Sequence, residues 1–292
     1  MTTESVADRL MASKLGFSKW DGIAALPQVA RDAEDNAKAR RGTARAEAKV
    51  FDCAELRAVL TEMGAMYNWW RSSTAPWRDG GWRVMLGAFA MEFLEEARVR
   101  TAKIEGELLP ALVRVYPIRL EEMRLSAGAF FNQASYPDPA EVGGRFAVRL
   151  SVEAVPSAHM LSRFGKVFSQ AELDSARDQE KEQIAAAMKD VWLKLFTPVK
   201  HMLDTLEKAD TGGADSGVKR WHESLVGNIA EAAASARALN FNGDPELDAI
   251  AQAMQDHLAA LKTGQLKEDI AVRSEAKARA RELAKRMAGY IG

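Results

Sequence analysis

Apolar residues recur every three or four positions over most of the chain, the period of an amphipathic helix. From Asp52, Leu56, Leu60, Met63 and Tyr67 fall on one such face, with Asp52 placed to cap it. The stripe breaks at Ser72-Ser73-Thr74 and Pro76 and turns again at Asp79-Gly80-Gly81. It resumes through Leu86, Phe89, Phe93, Ile104, Leu108 and Leu112 towards Glu122, where Pro110 and Pro117 should kink or divide it. Upstream, the pattern predicts a short amphipathic helix near Val6 to Leu15. Lys38 to Lys49, Ala-rich and almost without apolar residues, reads as a mobile basic segment.

Residues 127–168 have a different rhythm. In YPDPAE, Asp138 is placed as a cap, Pro139 as the first helical residue and Glu141 as the capping-box partner of a short helix. Phe146, Val148, Leu150 and Val152 then alternate with Arg145, Ala147, Arg149 and Ser151, which is the pattern of a half-buried strand. Its backbone needs a partner, and Met160 to Val167 is the nearest candidate. Beyond it, Ser169 and Glu172 form a second capping box. Ile184, Met188, Val191, Leu195, Val199, Met202 and Leu206 then outline a helix of roughly forty residues, about 55 Å at about 1.5 Å per residue, with a bend expected at Pro198. Further helices are expected from about Val218 to Leu239, from Pro245 behind the cap Asp244, and along the basic carboxy-terminal stretch.

These elements predict a mainly α protein: long antiparallel helices forming a bundle or arm, with a small β element around residues 145–168. The expected divisions are a helix plus mobile basic segment over 1–50, a helical region with a Trp-rich bend over 51–126, the strand-containing section over 127–168, and a helical region over 169–292.

Composition adds bounds. Hydrophobic residues at 47% and charged residues at 28% are globular values, and a net charge of −1 argues against coating nucleic acid by charge alone. The one cysteine, Cys53, has no disulfide partner within the chain, which fits a reducing cytoplasm. No apolar run approaches the ~20 residues of a membrane helix, so no membrane partner is expected.

Catalytic chemistry has little to point to. His159, His201, His222 and His257 are far apart, so neither a metal nor a cofactor is expected. The glycines of GGADSGVKR, Gly212 to Arg220, superficially suggest a phosphate loop, but Val218 stands where its lysine would be. Asp138 and Glu153 suggest a nuclease metal pair, but Val155 replaces the lysine such a core requires. The chain reads as non-enzymatic.

Binding has more to work with. NWWRSSTAPWRDGGWRVM carries four of the seven tryptophans, and Trp70-Arg71, Trp77-Arg78 and Trp82-Arg83 interleave aromatic faces with cations, as single-stranded nucleic-acid sites do. Burial at a junction between helices is the ordinary explanation for such tryptophans, given the apolar neighbours Met66, Met85 and Leu86. Lys38, Arg40, Arg41 and Arg45 supply a candidate electrostatic arm, and a carboxy-terminal stretch has six bases against two acids.

The succession STAPWRDGGWRVM, YPDPAEVGGRFAVRLSVEAVP, AMKDVWLKLFTPVKHMLDTLE, RWHESLVGNIAE and LNFNGDPELDAI resembles an uncharacterised family of tailed-phage and prophage proteins, from about Val50 onward. Its most recognisable piece corresponds to Pro76, Trp77, Asp79, Gly81, Trp82 and Arg83. The resemblance implies phage origin and a helical fold, and brings no catalytic residues with it.

The leading expectation is a non-enzymatic, oligomeric phage protein of the host cytoplasm that associates with single-stranded DNA in replication, recombination or host takeover. Trp70, Trp77 and Trp82 would stack, Arg71, Arg78 and Arg83 would contact phosphate, and the 38–45 cations would form the arm. The competing expectation is a helical interaction module that binds itself or a host or phage protein without nucleic acid. A virion or assembly component is a third.

Overall fold

The computed structural model describes residues 5–128, 131–164, 167–211 and 223–291. A 3₁₀ turn at Val6–Arg9 leads into strand β1, Leu10–Ser18, followed by β2, Ile23–Ala25, helix α1, Pro27–Asn36, and β3, Glu47–Lys49. Helix α2 spans Ala54–Ser72, and a hairpin of β4, Ala75–Arg78, and β5, Trp82–Leu86, follows. Helix α3, Ala90–Ala102, continues through a π-helical stretch, Lys103–Leu108, into α4, Leu109–Ala127. Strand β6 is Ala147–Ala154 and α5 is Ala158–Ser162. The remainder is helical: α6, Gln170–Thr211; α7, Ser224–Leu239; α8, Pro245–Met254; α9, Thr263–Glu268; and α10, Ile270–Ile291.

The protein is therefore mainly α with a small antiparallel sheet, of strand order β4-β5-β1-β6, and a separate β2-β3 pair. The chain divides into two compact units. Unit 1 gathers Met1–Lys14, Trp69–Phe93 and Ser151–Gly292, and unit 2 gathers Leu15–Asn68 and Leu94–Leu150.

In unit 1 the core is built on α6. Its stripe of Ile184, Met188, Val191, Leu195, Val199, Met202 and Leu206 is buried throughout, against α7, α10 and β4. Trp192 stacks on Tyr290 of α10 at 4.1 Å, fastening the last helix to this seam. The 42-residue helix contains Pro198, which cannot donate to the Lys194 carbonyl and so weakens the ladder there. Its start is capped as expected: Ser169 Oγ accepts from the Glu172 N–H at 3.3 Å, while Glu172 accepts from the Ser169 N–H at 2.7 Å. Asp244 caps α8 in the same way, accepting from the Glu246 N–H, with Pro245 in the first turn.

Unit 2 is organised around aromatic side chains. Trp20, Phe51 and Tyr116 meet with ring centroids 5.0–5.8 Å apart, and the Tyr116 hydroxyl donates to the Pro137 carbonyl at 3.0 Å. Gly22 permits this packing. Its φ is +74°, its carbonyl accepts from the Val50 and Phe51 N–H groups, and an added Cβ would lie 2.2 Å from the Phe51 carbonyl oxygen.

Several expectations are corrected. The segment Val6 to Leu15 is not one amphipathic helix: Val6–Arg9 is a 3₁₀ turn and the larger part is β1, where Leu10 pairs opposite Leu86 and Ala12 opposite Val84. Cross-strand burial outcompetes a helix too short to stand on its own propensity. Strand β6 finds its partner in β1, not in Met160 to Val167, where α5 forms under the Ser157 cap. Asp138 closes a turn, accepting from the Ala140 N–H, and the element that follows is a 3₁₀ turn, Val142–Arg145, without a Glu141 cap bond. Cys53 takes the capping position of α2, its sulfur accepting from the Leu56 N–H at 3.3 Å, while Asp52 pairs with Lys49 and Arg57. The Trp-rich segment is a hairpin and not merely a bend. Residues 212–222, which include the phosphate-loop candidate, His222 and the expected start of α7, lie outside the described residues.

Candidate functional site

Adjacent residues in a strand point to opposite faces, so a Trp-Arg dipeptide in β4 divides between core and solvent. Trp77 is 9% exposed and packs in the unit 1 core, while Arg78 faces outward, pairs with Glu153 and lies over the Trp82 ring at 5.0 Å. In β5 the assignment reverses: Trp82 is only partly buried and Arg83 goes inside, at 8% exposure. Trp70, on the last turn of α2, is 4% exposed and donates its indole N–H to Ser13 Oγ at 3.0 Å. Trp69 stacks on Phe93 at 4.8 Å.

Arg83 explains why an arginine is tolerated there. The last carbonyls of a helix lack partners and carry the negative end of its dipole. Arg83 supplies donors at this end: its Nε–H reaches Thr74 Oγ1 at 2.9 Å, and Nη2 reaches the Arg71 carbonyl of the last turn at 3.3 Å and the Thr74 carbonyl just beyond the helix at 2.6 Å. Its guanidinium lies 5.6 Å from the Trp70 ring centroid. Lys194 of α6 donates to the same two carbonyls. Asp190 sits 3.5 Å from Arg83 and 3.4 Å from Lys194, ion-pair distances longer than a good hydrogen bond. Two cations thus cap α2 and share one carboxylate. Burial pushes the Lys194 ammonium down to about 8 against the pull of Asp190, with repulsion from Arg83 and Arg71 adding to the fall.

The structure therefore gathers Trp70, Arg71, Trp77, Arg78, Trp82 and Arg83 into one hairpin and helix end, but as an anchor. It does not form a platform for stacking: the faces of Trp70 and Trp77 are covered, and Arg78 and Arg83 are engaged. Ser13, Thr74, Asp190 and Lys194 complete the cluster. No local spacing announces them. The available signal was that an arginine between apolar residues of a buried strand requires an acid and acceptors from elsewhere.

The 38–45 cations belong to unit 2, and the segment that bears them, expected to be a mobile arm, makes defined backbone contacts. Glu34 at the end of α1, 3% exposed in its side chain, accepts from the Gly42 and Ala44 N–H groups at 2.8 and 3.0 Å. Arg41 pairs with Glu34 and Asp35, and Glu47 to Lys49 form β3 against β2. Lys38, Arg40 and Arg45 remain exposed on this closed loop. The Ala44 N–H, with Gly42 and Arg41 behind it, holds the Glu34 carboxyl below its ordinary 4.5 despite its desolvation. A depressed acid stabilises the loop above its unfolded value and loses that contribution as pH falls through the folded one. Glu34→Gln should accordingly raise the rate of tryptic cleavage after Arg40, Arg41 and Arg45 about tenfold at neutral pH. An unchanged cleavage rate would show that the loop does not depend on this carboxylate.

The carboxy-terminal basic helix is also largely matched by acids. Arg281 pairs with Glu207, Arg286 with Glu246 and Arg279 with Glu282.

Two further features emerge in unit 1. A groove of about 490 Å³ runs between α6 and α7, floored by Val191, Leu195, Pro198, Ala232, Ala236 and Leu239. Arg71, Asp190, Lys194, His201, Asn228 and Glu231 stand among its polar positions. The second feature is the segment from α5 to the start of α6. Ser157 Oγ accepts from the Met160 N–H and donates to Asp8, whose other oxygen lies 3.0 Å from His159 Nδ1. Glu180 of α6 accepts from the Ala158 N–H and from Ser5 Oγ. Asp8 lies between the serine and the histidine, so Ser157 is not joined to an imidazole that could take its proton, and the cluster acts as a brace. Just downstream in sequence, Met160, Phe164 and Val167 are 47%, 62% and 74% exposed.

Among the described residues no group of histidine, cysteine or acidic side chains is placed to hold a metal ion, and no helix is long and apolar enough to cross a membrane. No protein family, curated protein or solved structure matches the chain.

Proposed function

We propose that the chain is a helical protein-interaction module, working by binding and not by catalysis, whose docking surface is formed by Met160, Phe164, Val167 and the Gln170 to Gln183 stretch of α6. One observation carries the reading: three large apolar side chains, Met160, Phe164 and Val167, are 47–74% exposed within eight residues. Folded proteins seldom leave such side chains grouped in water without a use for them. Beside them, no residue of Gln170 to Gln183 in α6 is buried, and that stretch has five acids against two bases. A helix polar on every side gains little from its own chain's core, which suits one that meets a partner.

The surface commits the partner's chemistry: a protein with an apolar socket flanked by basic side chains. Nucleic acid would be repelled by the acidic helix, and stacking on DNA has little to draw on with Trp70 and Trp77 covered. The resemblance to tailed-phage proteins supports a search among phage and host proteins of infected or lysogenic cells.

The test compares capture by the wild type and by Phe164→Asp/Val167→Asp, two exposed sites at which folding should be unaffected. Expected is a stoichiometric partner that survives nuclease treatment, is weakened by salt, and is held at least about tenfold less by the variant. The reading is abandoned if both proteins retain the same partners, if nuclease releases them, or if native mass shows the patch occupied by a second copy of this chain.

A further inference from the structure

We propose that the cavity between α1 and residues 41–47 of unit 2 binds a small phosphate monoester that also carries hydroxyl groups, its phosphate held by Arg31 and Arg45. The cavity measures about 400 Å³, within the range of about 300–1,000 Å³ usual for small-molecule sites. Arg31 lines it from α1, and Arg41 and Arg45 line it from the loop that returns to β3. Small side chains, Ala25, Pro27, Ala30 and Ala44 among them, leave the space between these cations open.

The three arginines are not equivalent. Arg41 is committed: it pairs with Glu34 and Asp35 and donates to the Arg31 carbonyl. Glu34 is spent in turn on the Gly42 and Ala44 N–H groups, which hold the loop closed. Among the described residues the side chains of Arg31 and Arg45 make no hydrogen bond and no ion pair, although both line the cavity. An unengaged guanidinium keeps its planar fork of donors, which matches phosphate oxygens two at a time. Two of them suit a dianion. A phosphate monoester is one above its second pKa of about 6, and a single carboxylate never is.

Glu47 specifies the rest of the ligand. It lines the same cavity, and its side chain also makes no hydrogen bond or ion pair among the described residues. A carboxylate only accepts, so it disfavours a phosphate beside it and suits a sugar hydroxyl. The ligand therefore runs from the two arginines to Glu47. These residues are not those of the docking surface, so either reading can fail without the other.

Calorimetric titration of the whole chain with ribose 5-phosphate, adenosine 5′-monophosphate, inorganic phosphate and ribose tests the assignment. At least one ester should bind saturably, and the tighter of the two tells whether the body is a sugar or a nucleoside. Inorganic phosphate should bind at least about tenfold more weakly, and ribose should give no saturable heat below about 1 mM. Ester affinity should rise about tenfold between about pH 5 and about pH 7, as the phosphate gains its second charge while the arginines stay charged. Arg31→Gln and Arg45→Gln remove no contact of the fold, and each should weaken the esters about tenfold. Arg40→Gln, exposed on the same loop but outside the lining, should leave affinity unchanged. Glu47→Gln should narrow the preference for esters over inorganic phosphate. The inference is overturned if neither ester binds below about 1 mM, if inorganic phosphate binds as tightly as the esters, if affinity does not rise with pH, or if Arg40→Gln costs as much as Arg45→Gln.

Discussion

Replacement of Arg83 by leucine should cost about 3 kcal/mol, the low end of what breaking a buried ion pair costs. The side chain is 10% exposed and donates to Thr74 Oγ1 and to the Thr74 and Arg71 carbonyls. Leucine fills part of the volume but leaves Thr74 Oγ1 without this donor and Asp190 with Lys194 as its remaining ion-pair partner of the two. Lys194 stays on both carbonyls, which keeps the loss from being larger. The control is Arg78→Leu one strand away. Its pair with Glu153 is 39% and 43% exposed, and its removal should cost less than about 1 kcal/mol. Denaturant unfolding, followed by hydrogen exchange over residues 69–86, separates the two. Equal losses would show that Arg83 is not the cap inferred from its geometry.

The second large effect belongs to Tyr116, which is fully buried against Phe51 at 5.0 Å and edge-on to Trp20 at 5.8 Å. Tyr116→Ala should destabilise unit 2 by about 4 kcal/mol, in the range of buried aromatic truncations. Tyr116→Phe should cost about 1 kcal/mol, the hydrogen bond to Pro137 alone. The two variants also differ in their response to alkali. Burial, reinforced by Tyr136 and Asp138, raises the Tyr116 phenol above its ordinary value of 10.0. A raised value means that its contribution is complete below the unfolded value of about 10 and is lost as pH climbs through the folded one. Tyr116→Phe should therefore blunt the alkaline loss of structure seen by circular dichroism above about pH 10. A Phe variant as alkali-sensitive as the wild type would assign that limb to other groups, Tyr136 among them.

What was legible in the sequence was local. Ser169 with Glu172, and Asp244 with Pro245, specify helix starts through contacts two or three residues long, and both hold. The α6 stripe was legible because its helical period persists over many turns, and β6 because its polar alternation is strict. Strand β1 was not. Its residues Leu10, Ala12, Ser13 and Leu15 are buried without alternation, and its identity depends on β5, far along the chain. The same distance hid the site. Trp70 and Trp77 could be read as anchors from their neighbours, but the capping role of Arg83 needs Thr74, Lys194 and Asp190 together, and no spacing joins them. The contacts of the 38–49 loop were not legible because they come from one acid, Glu34, satisfying two backbone amides in a stretch with little apolar burial.

The stripe on α6 also sets a timetable. Leu206 is synthesised before α7, and α10, against which α6 packs, is made later still. At about 5–20 residues per second, the roughly 85 residues between Leu206 and the end of α10 take between about 4 and 17 s to synthesise. Until α10 is made, the face of α6 that it covers is bare on the nascent chain, a target for any chaperone waiting at the exit tunnel.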